Sequence, residues 1–397
     1  MDGDRRLPAA AALASAAAVL GDDNLLPEIL IRLGFPTCLI HAALISKRWL
    51  HHASKPAFLR CFRDRNPHRV LGVFACYPET PYKFLPLPQP PELAALSRRV
   101  ASSCNDAFAA SSYKRVVHCR NSRLITVFLH EGTYRHSLHE PLLTGESEAV
   151  LPQTPLPRHL PQAHTQGVFS QTFLPEDGGR DGNGITLVSL WMVWREVRAE
   201  VCVLGSDGWG IPTTAVTDVD LPYAETNFIE MLPPVHDLAT STFFTLELPV
   251  GVRSNYMLSC AEGSGIYLVS ADGFHLSVWL HGMMGDNDGA GGWLLVDTFC
   301  VRCSAGRDWV WMAQDGDFLG VAAVGDNAEF VFLDYARYGV FLYVHLRSRV
   351  VEKVHEQALL DHHFIRPGMN HIPICPFMMI WPPVFPALKN RRRDQEQ

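Results

Sequence analysis

Between Asp22 and Arg65 apolar residues recur three and four positions apart. Leu26, Ile29, Leu30 and Leu33 fall on one face of a helix. Asn24 stands where a side-chain oxygen takes an orphan amide of a first turn. Pro27 then falls where its missing N–H loses no bond, and Glu28 sits on the favourable side of the helix dipole. Gly34 and Pro36 stop the run. Thr37 opens a second helix, with Cys38, Ala42, Ile45 and Trp49 on one face. Ser54-Lys55-Pro56 restarts the chain into a third turn carrying Phe58, Leu59 and Phe62. The pattern predicts three short helices with one apolar seam over 22–65.

After Arg65 the period changes. Short runs rich in Val, Leu, Phe, Tyr and Trp alternate with Gly, Asp, Asn or Ser turns: Arg69–Ala75, Arg123–Leu129, Gly184–Trp194, Gly265–Ala271, Gly292–Val301 and Gly339–Glu356 are examples. The sequence shows no long amphipathic helix between them, which argues against a parallel βαβ sheet. Many short strands with aromatic residues near the turns favour a propeller-like closed architecture, which protects strand edges. No Trp-Asp or double-glycine repeat marks a WD or kelch propeller. A β-sandwich would be overfilled by this many strands. The expected fold class is α+β overall, a small N-terminal three-helix module (22–65) before an all-β propeller-like domain (66–386).

Two inserts interrupt the β pattern. Glu140–Asn183 is rich in Pro, Gly, Gln and His, and His281–Gly292 is a glycine-rich loop. Both look too poor in spaced apolar residues to pack a core. The second carries Met283 and Met284, adaptable apolar side chains, beside Asp286 and Asp288, and is the candidate target-binding loop. Trp191, Trp194, Trp279, Trp293, Trp309 and Trp311 are expected mostly to wedge between blades. Trp381, flanked by proline in a tail, is expected to plug a groove on the β body.

Composition narrows the classes. In 397 residues, 47% hydrophobic and 19% charged residues are ordinary for a chain with a large core. A net charge of -7 argues against a generally basic nucleic-acid binder. Ten cysteines without a dense framework fit free thiols in a reducing compartment, cytoplasmic and/or nuclear. No run is long and apolar enough to span a membrane. The alanine-rich stretch Leu7–Leu20 has the outline of a signal peptide, but it is weakly hydrophobic and reads better as a frayed or disordered leader (1–21). Residues 387–397 form a basic tail.

Chemical motifs are sparse. Cys300 and Cys303 form one C-x-x-C; no second pair completes a zinc set, and on a strand the two would face opposite sides. No His-Glu has the second histidine of a metalloprotease helix. There is no Gly-Lys of a phosphate loop and no Gly-x-Ser-x-Gly elbow. The expectation is a chain with no active site, metal or cofactor.

Asp22-Asp23, Leu25-Leu26, Glu28-Ile29-Leu30, Arg32-Leu33, Ser46-Lys47-Arg48-Trp49 and Pro56-Ala57-Phe58-Leu59 together resemble an F-box. Leu20-Gly21 replaces the usual Leu-Pro before the acidic pair, and Lys55 replaces an acidic residue. Val116–Val127, Phe62–Phe74, Glu329–Glu356 and Cys375–Leu388 resemble the F-box-associated β-domain of plant F-box proteins, especially the grass type. The resemblance implies a substrate-recognition subunit of a Skp-cullin-F-box ubiquitin ligase. Leu25, Leu26, Pro27, Ile29, Leu33 and Trp49 would meet a Skp-type adaptor, and through it a cullin; the β-domain would hold an unknown target protein. No nucleic acid or membrane partner is implied. The rival is a β-propeller hydrolase or carbohydrate-binding protein whose helical cap only looks like an F-box.

Overall fold

The computed structural model describes residues 15, 19–66, 69–75, 82–109, 114–142, 148–155, 167–175, 184–193, 196–218, 234–237, 242–252, 254–261, 265–282, 292–304, 318–335, 338–356, 374–381, 383 and 385. The chain divides into two compact units, Met1–Arg69 with Met379–Gln397, and Val70–Met378.

The first unit is helical. Its described helices are α1 (Leu25–Leu30), α2 (Pro36–Ala43), α3 (Lys47–Ala53) and α4 (Pro56–Arg65), so four short helices replace the expected three. The predicted second helix breaks because Ser46 is extended and its hydroxyl accepts the Trp49 N–H at 3.2 Å, capping α3. Cys38, Ala42, Ile45 and Trp49 therefore do not share one helix face. The first cap also differs from expectation. Asn24 is helical and makes no side-chain cap, whereas Asp22 Oδ1 accepts the amides of Asn24 (2.7 Å) and Leu25 (3.3 Å). Leu26, Leu30, Leu39, Ala43, Ala53 and Phe62 form the core. The Trp381 ring stacks on Phe62 at 6.1 Å, and Phe385 packs on the same cluster. The tryptophan of the tail thus packs in the helical unit and not in a groove on the β body.

The second unit is a β-propeller whose blades follow the chain. β1 (Val70–Ala75) pairs antiparallel with β2 (Lys83–Pro86). β3 (Arg115–Arg120), β4 (Arg123–His130), β5 (Thr133–His139) and β6 (Glu148–Val150) form a meander. β7 (Gly167–Pro175), β8 (Ile185–Val193), β9 (Glu196–Gly205), β10 (Gly208–Trp209) and β11 (Thr213–Asp218) form the next, and β12 (Pro234–Asp237) and β13 (Thr242–Thr245) a ribbon. β14 (Tyr256–Cys260), β15 (Gly265–Asp272), β16 (His275–Gly282) and β17 (Trp293–Cys300) make a four-stranded blade, as do β18 (Gly320–Val324), β19 (Phe330–Tyr335), β20 (Val340–His345) and β21 (Val350–Glu356). The last strand, β22 (Ile374–Met378), returns to pair with β1, which ties the two ends of the unit together. Among the described residues there are five sheets of three to five strands, the five blades, besides the β12–β13 ribbon.

Two expectations for this unit fail. A 19-residue helix, α5 (Pro91–Ala109), packs on the first sheet through Leu93, Ser97, Val100, Cys104 and Phe108. The stripe has helical spacing, but Ser97 and Cys104 dilute its hydrophobicity. The insert Glu140–Asn183 is not merely a loop, since it contains β6 and β7 and buries Phe173 to 1% exposure. Phe74, Phe84, Phe108 and Phe377 meet edge-on or tilted under α5. Gly72 is required there, because a Cβ on it would overlap the Phe84 ring and the Leu85 carbonyl.

Candidate functional site

In the helical unit the acidic pair fixes one corner. Asp23 Oδ1 accepts from Arg48 Nε at 2.6 Å and contacts His52 Nε2 at 3.1 Å. The Arg48 hydrogen bond, then that of His52, holds the Asp23 carboxyl below the usual carboxylate range. Arg48 Nη1 also donates to the Leu20 carbonyl at 3.1 Å. These bonds bring the start of α1 beside the start of α3. Around that corner Leu20 (36%), Leu25 (43%), Leu44 (59%) and Ile45 (66%) are exposed apolar side chains. Such a cluster suits a protein contact.

The expected adaptor-binding residues separate on burial. Leu25 is exposed, whereas Pro27, Ile29, Leu33 and Trp49 are half-buried. Leu26 is 0% exposed and belongs to the helical core. Its periodicity marked the seam, and the seam faces inward. Ile45 was expected on the apolar face of a continuous second helix; the break at Ser46, a good cap residue before Lys47, leaves Leu44 and Ile45 exposed.

In the β unit a buried polar network crosses β3–β6. Lys114, just before β3, donates to Glu148 Oε1 at 2.7 Å. Its ammonium also lies 5.8 Å from the Phe128 ring centre. Thr126 Oγ1 and Ser137 Oγ are 2.8 Å apart, and both reach His139 Nε2, at 3.2 and 3.1 Å. Glu148 Oε1 lies 3.4 Å from the same nitrogen. Burial pushes the His139 pKa down to about 4, and the Lys114 charge adds to the shift. One imidazole nitrogen meets both hydroxyl and carboxylate, so no relay runs from a serine through the two ring nitrogens to an acid. The network is a structural plug. Sequence reasoning missed it because Lys114 and Glu148 are far apart in the chain.

The β14–β17 blade is the opposite. Its outer strand β17 pairs only with β16 among the described residues, with a bulge between Val278 and Trp279. The extra residue leaves three consecutive apolar side chains outside: Leu294 (65%), Leu295 (44%) and Val296 (49%). Nearby, Trp279 Nε1 and His281 Nδ1 are buried without a hydrogen-bond partner among the described residues. The His281 and Trp293 rings lie edge to face at 5.1 Å. Met283, Met284, Asp286 and Asp288, the expected target-binding residues between β16 and β17, lie outside the described residues, as do Trp194, Trp309 and Trp311. Trp191 is buried, and Trp279 and Trp293 are half-buried.

No group of three or more His, Cys, Asp or Glu arranged for a metal occurs among the described residues. No helix among them is long and apolar enough to cross a membrane.

No curated protein sequence matches the chain. Among solved structures, a Bacteroides fragilis protein described as a 6-phosphogluconolactonase aligns over 60% of this chain and 82% of that one, at 10% identity and a TM-score of 0.25. So low a score carries no argument about fold or activity. The family described as "F-box protein AT5G49610-like, beta-propeller" matches residues 115–385. That span holds every blade from β3 onward and the closing strand, and the chain belongs to this family of F-box proteins with a β-propeller.

Proposed function

We propose that this chain is the substrate-recognition subunit of a Skp-cullin-F-box type ubiquitin ligase, acting in the cytoplasm and/or nucleus. The carrying observation is the exposed apolar corner of the helical unit, Leu25, Leu44 and Ile45, in a member of an F-box family. The corner docks a Skp-type adaptor, which joins a cullin; the propeller holds a target protein. The chain contributes no catalytic group. Its mechanism is proximity, which raises the effective concentration of target lysines at the ligase's charged ubiquitin enzyme. Within this reading the target meets the outer half of β14–β17, where Leu294, Leu295 and Val296 are exposed.

The test uses the purified full chain. Replacing Leu44 and Ile45 with Asp exchanges exposed side chains and spares the core. Each is expected to remove about 1–2 kcal/mol of contact, so adaptor binding should weaken by at least about tenfold at unchanged melting temperature. Adaptor affinity that stays at the wild-type level in the folded double variant removes this corner from the interface. Any ubiquitin transfer should require added cullin complex and conjugating enzyme; transfer that persists without them makes the chain an enzyme.

A further inference from the structure

The C-x-x-C pair has a geometry its sequence concealed. β17 ends at Cys300, the Cα partner of His275 on β16. The chain then leaves strand geometry, and Val301–Ser304 form a helical turn. Val301 anchors that turn, with its side chain 2% exposed and its N–H donating to the Phe274 carbonyl at 2.9 Å. Ser304 Oγ donates to the Cys300 carbonyl at 3.2 Å. A helical turn carries positions three apart to one face, and the Cys300 thiol stands near enough to hold the Cys303 thiol above its ordinary value. Such positions have Cα atoms about 5 Å apart by helix rise and radius. That lies inside the disulfide window of about 4.4–6.8 Å. Cys303 is exposed and Cys300 half-buried, so a small reagent reaches the pair from the Cys303 side. By contrast burial pushes the thiols of Cys104 and Cys375 up to about 12 and that of Cys119 well above its ordinary value, which leaves them inert.

We propose that Cys300 and Cys303 are a thiol–disulfide exchange site, converted by low-molecular-weight disulfides such as oxidised glutathione into an intramolecular disulfide. The Cys303 thiolate attacks one sulfur of the oxidised disulfide; an S–Cys303 bond forms, the S–S bond of the reagent breaks, and one thiolate leaves. The Cys300 thiolate then attacks the Cys303 sulfur and expels the second. Two cysteines lose two electrons and two protons, and one disulfide becomes two thiols. The new ring spans one turn, so it closes little chain entropy and changes stability little. It is a reversible covalent mark and not a staple. The hydrogen bond to Cys300, with that thiol's charge, holds the Cys303 thiol above its ordinary value, so the reaction quickens as pH rises.

The experiment treats the folded full chain with oxidised glutathione, blocks residual thiols by alkylation and maps the peptides by mass. Wild type should show the 300–303 peptide short of two hydrogens and resistant to alkylation, and dithiothreitol should reverse this. Exposed Cys61 and Cys260 should carry glutathione adducts only. Cys300→Ser should stall at the glutathione adduct on Cys303. The rate of closure should rise about tenfold per pH unit below the thiol pKa. Wild type that accumulates the Cys303 adduct without closing overturns the proposal. So does a 300–303 peptide that remains fully alkylatable after Cys61 and Cys260 have reacted. Both readouts come from the unmutated chain, so a misfolded variant does not blur them, and neither depends on adaptor or target binding.

Discussion

The β3–β6 and β14–β17 sheets are both four-stranded antiparallel meanders, yet they place polar and apolar groups in opposite ways. In the first, Lys114, Thr126, Ser137 and His139 are buried and bonded to one another or to Glu148. The outer strand turns its carboxylate inward and completes the sheet. In the second, the outer strand turns Leu294, Leu295 and Val296 to solvent, while Trp279 Nε1 and His281 Nδ1 lie buried with no hydrogen-bond partner among the described residues. Buried polar groups in a finished surface have partners, and finished edges carry charge. The outer strand β21 illustrates the rule with Glu352 and Lys353. The contrast lies in the outer strands: β6 gives a carboxylate to a buried network while β17 presents three consecutive apolar side chains, although β3 keeps one buried nitrogen of its own, His118 Nε2, without a partner among the described residues.

The largest test breaks the finished sheet asymmetrically. Glu148→Gln leaves the Lys114 ammonium, 7% exposed at the side chain, without its carboxylate. An uncompensated buried charge typically costs about 3–5 kcal/mol; since Glu148 is itself 37% exposed, about 2–3 kcal/mol is expected. Lys114→Met leaves a carboxylate that water can reach and should cost about 1 kcal/mol or less. Denaturant midpoints at constant slope decide. Equal losses would mean that the pair is solvated as a unit and that the network is not a plug.

The next test is pH. His139 is held near 4 and His118 near 4, both mainly by burial, and burial also lowers His136. Lys114 and Glu148 face His139, and Arg120 adds to the shift of His118. An unfolded histidine protonates near 6.5. Between about 6.5 and 4 the unfolded chain therefore binds more protons than the folded one, and stability falls as pH falls. For His139, a shift from 6.5 to about 4 makes the full loss about 3 kcal/mol. His139→Gln should flatten the slope between pH 6.5 and 5, above the range where carboxylates titrate. A slope that persists undiminished assigns it to His118 and His136.

The same comparison explains what was legible in the sequence. The helical spacing of Leu26, Leu30 and Phe62 and the β-branched and aromatic runs of β4, β8, β15 and β20 were readable, because local spacing and composition report an element and its buried side. Periodicity does not say whether a face meets the protein's own core or a partner, so Leu26 was placed in a contact that Leu44 and Ile45 are better exposed to make. Helix α5 was hidden by Ser97 and Cys104 in its buried stripe, although Ser97 Oγ donates to the Leu71 carbonyl at 3.1 Å and is satisfied there. The Lys114–Glu148 pair and the Phe62–Trp381 stack join residues distant in the chain, and no local pattern carries such a pairing. The C-x-x-C was visible, but its meaning turned on whether the chain stayed a strand past Cys300.

A smaller test concerns the charge that β17 does carry. Arg349 Nη2 bonds Asp297 Oδ1 at 2.7 Å, and its guanidinium lies 5.3 Å from the Phe299 ring centre. Arg349 is 51% exposed at the side chain, so the ion pair is worth about 0.2–1 kcal/mol, with the ring contact adding about 0.5 kcal/mol. Arg349→Ala should lower stability by about 1 kcal/mol, and Arg349→Lys by less. Added salt should recover only the ion-pair share. A loss insensitive to salt assigns the whole effect to packing over Phe299.

The smallest effect on stability is the sharpest probe of the difference between the two sheets. Leu294 is 65% exposed on the outer strand. If that strand is a free edge, Leu294→Lys exchanges a solvent-facing side chain and should move stability by no more than about 0.5 kcal/mol. Lysine at an edge also opposes the addition of another strand. The variant should therefore keep its melting temperature and its adaptor affinity while losing target recovered from cell extract by several-fold. Val150→Lys is the matched control: Val150 is 64% exposed on β6, the outer strand whose Glu148 is already bonded to Lys114, and it should change neither stability nor recovery. Equal target recovery from both variants would place recognition elsewhere on the propeller. A stability loss well above about 1 kcal/mol for Leu294→Lys alone would mean that the strand is covered in the folded chain, and the two sheets would then differ in what covers them and not in whether they are finished.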